Sequence, residues 1–114
     1  MKLAEIQGLL KCQVLTGEDL LEEEVDTAVA SEAMSAVLAS PHPHALLITQ
    51  LATVQSVRTA LIAYLSAIVY VRGSRPNETT IQLARENKIV LLSTALGMFN
   101  SCGILHSHGI RGVN

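Results

Sequence analysis

Three short runs of branched apolar residues, ALLIT (45–49), AIVYV (67–71) and IVLLS (89–93), constrain the fold more than any other feature of the chain. None alternates apolar with polar residues as a half-exposed strand does, so each predicts a strand covered on both faces. The segments between them have helical spacing. In TVQSVRTALIAYL, Val54, Val57, Leu61 and Leu65 share one face; NETTIQLARENK starts behind Pro76 with Asn77 at an N-cap position and aligns Ile81, Ala84 and Lys88. After the last run, ALGMFNSCGILHSH is expected to turn Leu96, Phe99, Cys102 and Leu105 toward a core. Strand, helix and strand in alternation imply parallel units with right-handed crossovers.

The upstream third is less regular. LAEIQGLL reads as an opening helix facing inward with Leu3, Ile6 and Leu10, followed by a short strand near CQVL. The acidic turn TGEDLLEEE leads to a strand in VDTAVA and a short helix in AMSAVLAS. No helix separates the first two strands, so a long hairpin is expected there, with the first strand's direction left open. The expectation is a single α/β domain over 1–114. It has three layers: a mostly parallel central sheet of about five strands, flanked by about five helices.

Composition narrows the function classes. Apolar residues make up 49% and charged residues 16%, as in a globular chain with a real core. A net charge of −2 lacks the electrostatic footprint of a general nucleic-acid binder. Phe99, Tyr64 and Tyr70 are the only aromatics, too few for a base-stacking platform. The longest apolar stretch, 60–71, is shorter than the roughly 18 residues of a membrane span. Glu5 and Gln7 interrupt any signal-peptide core, and Cys12 and Cys102 show no C-x-x-C spacing. These features lead to the expectation of a soluble cytoplasmic protein with reduced thiols and no membrane or nucleic-acid partner.

In parallel sheets ligands bind outside the carboxyl ends of the strands. Those ends carry Ser31 and Glu32, Thr49 and Gln50 with Thr53 beyond, Arg72 and Gly73 with Arg75 beyond, and Ser93 and Thr94. The set is polar and hydroxyl-rich, while the strands feeding it are apolar. Helix starts after each end offer free N–H groups to an anion. Arg72 and Arg75 suit a phosphate, and Gln50 or Thr53 a base or ribose. Capping is the ordinary role of Ser31, Thr53, Asn77 and Thr94, and solvation that of the arginines. No G-x-x-x-x-G-K-[ST] or G-x-G-x-x-G supplies a nucleotide motif.

Enzyme chemistry has little to stand on. G-x-S-x-G and H-E-x-x-H are missing from the sequence, and Cys12 and Cys102 occupy apolar positions suited to structural thiols. The run Glu18, Asp19, Glu22, Glu23, Glu24 and Asp26 lacks the spacing of a calcium loop and reads as a solvated turn. Two histidine pairs, His42 with His44 and His106 with His108, each spaced i, i+2, raise the question of a split metal site. The topology puts both pairs at the amino edge of the sheet, opposite the expected ligand edge. Neither a metal nor a resident cofactor is therefore expected.

Three segments together, LTGEDLLEEEVDTAVASEAMSAVLAS, ALLITQ and AIVYVRGSRPNETTIQLARENKIVLLST, resemble the DRTGG domain from about Lys2 to Ser107. The resemblance is strongest at Val29–Ser35, where the pattern is V-x-S-acid-x-x-S, at Ile48-Thr49-Gln50-Leu51, and from Val90 through Thr94. The chain departs from the family pattern with Glu32 and Ala36, where aspartates are common, and with Arg72-Gly73 in place of a glycine pair. Family members occur in family-II inorganic pyrophosphatases beside CBS domains, in phosphotransacetylases and as free-standing proteins. The N-terminal domain of HPr kinase/phosphorylase has a similar fold. The resemblance implies a non-catalytic, homodimeric module that senses an adenine nucleotide. Its alternative is an adaptor that docks on an enzyme complex and takes no small molecule. For the dimer contacts, VQSVRTALIAYL and the tail HSHGIRGVN are the candidates.

Overall fold

A computed structural model describes residues 1–39 and 42–113. In chain order the elements are α1 (Leu3–Leu10), β1 (Gln13–Thr16), a 3-10 turn (Glu18–Leu20), β2 (Thr27–Ala30), α2 (Met34–Ala39), β3 (Leu46–Thr49), α3 (Val54–Ile62), β4 (Ala67–Tyr70), α4 (Glu78–Glu86), β5 (Val90–Ser93), α5 (Met98–Ser107) and β6 (Arg111–Gly112). They build one sheet in the order β1-β5-β4-β3-β2-β6. All neighbours run parallel except β1, which pairs antiparallel with β5 along one edge. Among the described residues no helix is long and apolar enough to cross a membrane.

The three apolar runs form the adjacent strands β3, β4 and β5, and every residue in them is buried. Successive side chains alternate between two cores. Leu46, Ile48, Val69, Val90 and Leu92 pack with Leu3, Ile6 and Leu10 of α1 and Leu105 of α5. Leu47, Ile68, Tyr70 and Leu91 pack with Val37, Val57 and Ile81 of α2, α3 and α4. Two helices on one face and three on the other thus cover the sheet, which is why its central strands tolerate no polar alternation.

The helix boundaries have local causes. Asn77 caps α4, its side-chain oxygen accepting the Thr80 N–H at 2.9 Å. Lys11, Tyr64, Lys88 and Gly109 all adopt left-handed backbone at helix ends. The residues that follow, Cys12, Leu65, Ile89 and Ile110, return their N–H groups to Gln7, Ala60, Ala84 and Leu105. All four are buried, so each helix end is closed by hydrogen bonds and pinned by an apolar side chain.

Three expectations are corrected. First, β1 and β2 are not a hairpin: β1 lies beside β5, four places from β2. Residues 17–26 run between them past the first turn of α1, whose Leu3 and Ala4 donate N–H bonds to Glu23 and Leu21. Buried Val25 and half-buried Leu20 and Leu21 anchor this route. Second, Phe99 is 89% exposed. The helix begins only at Met98, and Met98, Ser101, Cys102 and Leu105 define its inner side, so Phe99 points away. Third, α4 ends before Lys88, which is exposed. The mostly parallel sheet of about five strands is as expected, and the tail adds a two-residue strand paired with β2.

Candidate functional site

Strands β2, β3, β4 and β5 are contiguous and parallel, so their carboxyl ends share one edge of the sheet. In order along that edge stand Ser31-Glu32, Thr49-Gln50, Arg72-Gly73 and Ser93-Thr94, with Thr53 at the start of α3. The strand-end residues expected to bind a ligand are therefore brought to one edge, but they do not present themselves alike.

The hydroxyls are largely engaged. Thr49 is buried; its Oγ1 donates to Glu32 at 3.1 Å and accepts the Leu51 N–H at 3.1 Å. Ser93 donates to the Ser74 carbonyl at 3.0 Å. Thr94 donates to the Leu10 carbonyl at 2.6 Å, fastening β5 to the end of α1, and accepts the Leu96 N–H at 3.2 Å. It does not cap α5, whose N-cap is Gly97. Ser31 accepts the Ala33 N–H at 3.0 Å in the turn before α2. Thr53 holds the N-cap position of α3 in extended backbone, without a capping bond from its side chain.

Glu32, Gln50, Thr53, Arg72 and Gly73 are exposed. The Glu32 carboxylate accepts the Gln50 N–H at 2.6 Å as well as the Thr49 hydroxyl, so the turn after β2 is clamped to the end of β3. Arg72 and Gly73 both have positive φ, 57° and 72°. Their N–H groups donate to Leu96 and Thr94 at 2.8 Å each, so the strained turn is held from the β5 side. The Arg72 guanidinium lies beside Gly97, where an added Cβ would sit 3.8 Å from Nη1. Arg75 is turned elsewhere: it donates to Gln13 on β1 at 2.5 Å.

The edge is thus a rigid rim carrying one carboxylate, one carboxamide and one guanidinium on fixed backbone. Beneath it, buried Tyr70 meets buried Ser56 at 2.7 Å between hydroxyl oxygens, and Ser56 also donates to the Thr53 carbonyl at 2.7 Å. Burial pushes the Tyr70 phenol up to about 12, the Ser56 hydrogen bond opposing part of that rise. The sequence reading missed the turn at Leu96-Gly97, which receives Arg72. Its only sequence signal is the glycine before MFNSCGIL.

The other candidates fall outside this rim. The His44 N–H donates to the Tyr64 carbonyl at the end of α3, whereas a His108 ring nitrogen lies 2.8 Å from the Ile104 carbonyl on α5. His42 and His44 thus stand in the turn before β3, tied to the end of α3, while His106 lies in the last turn of α5 and His108 caps its end. Among the described residues no three His, Cys, Asp or Glu side chains are grouped to hold a metal ion. In the acidic run, Glu22 faces Lys2 at 3.4 Å, and Glu24 and Asp26 face the N-terminal ammonium at 3.9 Å. Burial pushes the Cys12 thiol up to about 11 and raises Cys102 as well, so neither is an activated nucleophile.

Known proteins place this architecture. The family model for the DRTGG domain matches residues 5–107. Among solved structures, the chain is similar to the CBS and DRTGG domains of the regulatory region of Clostridium perfringens pyrophosphatase, complexed with its activator diadenosine tetraphosphate. The TM-score is 0.70 at 15% identity over 91% of this chain, which spans 45% of the length of that one. No curated protein matches. The match of the family model over nearly the whole length shows that this chain belongs to the DRTGG domain family.

Proposed function

We propose that this chain is a non-catalytic regulatory module that binds an adenine nucleotide at the carboxyl edge of its sheet and acts as a cytoplasmic homodimer without a resident cofactor. The observation that carries the reading is the contrast along that edge. Thr49, Ser93, Thr94 and the Glu32 carboxylate are engaged in the fold, while the side chains of Gln50, Thr53 and Arg72 are exposed on fixed backbone. Arg72 supplies charge for a phosphate, Gln50 hydrogen bonds for a base, and Glu32 an acceptor for ribose hydroxyls. Ser31, Thr49, Ser93 and Thr94 shape the rim, and Gly73 lets the chain turn behind Arg72. The activator bound by the clostridial regulatory region is a dinucleotide of this chemical kind. A regulatory role also suits the engaged hydroxyls and raised thiols, none of which is poised to attack a substrate.

Thermal-shift titration with AMP, ADP, ATP and diadenosine polyphosphates tests the proposal. A rise in Tm that follows ligand concentration, reduced in Gln50→Ala, supports it. The second reading, an adaptor docking on an enzyme complex, is favoured by Ile62 and Tyr64, which are 66% and 72% exposed at the end of α3. A flat nucleotide screen together with a stoichiometric complex lost on Ile62→Glu would select it.

A further inference from the structure

Phe99, the only phenylalanine of the chain, is 89% exposed on α5. One turn later on the same side is Gly103, also exposed, in the middle of the helix. A Cβ added at Gly103 would meet nothing within 4 Å, so no contact within the chain requires glycine there. Glycine nevertheless weakens a helix interior relative to alanine. The ten residues of α5 also contain no Asp, Glu, Lys or Arg. A helix in an outer layer normally turns charges toward water, as α4 does with Glu78, Arg85 and Glu86. Leu96, Phe99, Asn100, Gly103, Ile104 and Ser107 line an open groove of about 320 Å³ on this face.

We propose that a second copy of this chain covers the outward face of α5, with the Phe99 ring of each copy seated over Gly103 of the other. Shape and charge both select this occupant. A protruding ring and a side-chain-free gap lie four residues apart on one helix face. A two-fold axis midway between them, with the helices antiparallel, fills both gaps at once. Any ionised group near such an axis meets its own copy, and the groove residues carry none. The contact rests on the homodimeric part of the function proposed above and not on its ligand. A helix of ten residues is only about 15 Å long, so its face falls short of the roughly 800 Å² per partner of a standard interface. The association is therefore concentration-dependent.

Sedimentation equilibrium of the full chain without nucleotide tests this. The expected result is a reversible dimer whose Kd rises about tenfold or more in Phe99→Lys and in Gly103→Glu. Mixing these two variants restores association, because each mixed dimer keeps one native contact and gains one opposite-charge pair. Both positions are exposed, and circular dichroism establishes that the variants are folded. Gly103→Ala adds a sharper arm: at monomeric concentration it raises Tm by about 3 °C, yet it weakens the dimer. A wild-type chain that stays monomeric at millimolar concentration would overturn this contact and the dimeric reading together, leaving nucleotide binding untouched. A dimer indifferent to both single variants, or one lost in both without rescue on mixing, overturns the α5 contact alone.

Discussion

The carboxylate of Glu32 accepts the backbone N–H of Gln50 at 2.6 Å, joining the turn after β2 to the end of β3 at the rim of the proposed site. The bond is charge-assisted, and the Thr49 hydroxyl donates to the other carboxylate oxygen. Glu32→Ala is expected to cost about 1 kcal/mol of stability, the solvent-exposed bond being worth less than a buried one. It also weakens nucleotide binding, because the turn and Gln50 lose their fixed relation. Urea denaturation and the thermal-shift titration measure the two effects separately.

Arg72 offers a cleaner separation of binding from folding. Its φ of 57° suits glycine, and its N–H bond to Leu96 survives any substitution other than proline. Arg72→Gly is therefore expected to keep or raise Tm while removing the phosphate-directed guanidinium. Loss of the nucleotide-induced shift in a variant at least as stable as wild type assigns the loss to the side chain. An unchanged shift would place the phosphate elsewhere.

Alkaline pH should destabilise the domain in two steps. Cys12 is raised from 9.0 to about 11 and Tyr70 from 10.0 to about 12, both by burial. Each folded pKa lies above its unfolded value, so each contribution is complete below the unfolded pKa and is lost as pH rises through the folded one. The windows are therefore about pH 9–11 for Cys12 and about pH 10–12 for Tyr70, each worth about 2–3 kcal/mol. Cys12→Ala flattens the first window and Tyr70→Phe the second. Denaturation midpoints across pH 8–12 give the readout.

Two left-handed positions predict opposite signs for glycine exchange. At Gly17, φ is 96° and an added Cβ would lie 2.7 Å from Val90 Cγ2, against the β5 backbone. Gly17→Ala is expected to lose about 2 kcal/mol or more. At Lys88, φ is 58° behind α4 with an exposed side chain, and Lys88→Gly relieves the strain, gaining about 0.5–1 kcal/mol. Thermal melts of the two variants should move in opposite directions.

The legible parts of the fold were those in which neighbours in sequence decide the outcome. Asn77 reads as a cap because its partner is three residues away. Leu3, Ile6 and Leu10 share a face by helical spacing, and all three are fully buried. Phe99 was misjudged because an inward face depends on where the helix starts. That start follows the Thr94–Leu10 and Arg72–Leu96 bonds, which join residues far apart in sequence.

The same division applies to the candidate site. From sequence, three buried strands and the polar residues following them already specify a parallel sheet with a polar edge, since strand burial and chain direction are properties of short segments. Only the tertiary structure decided which of those residues face outward. Thr49 and Glu32 find each other across 17 positions, Ser93 reaches Ser74, and Arg75 reaches Gln13 across 62. It also settled the place of β1, beside β5 and antiparallel to it, after an expected hairpin. Such pairings depend on which strands become neighbours, and spacing within a segment carries no information about that.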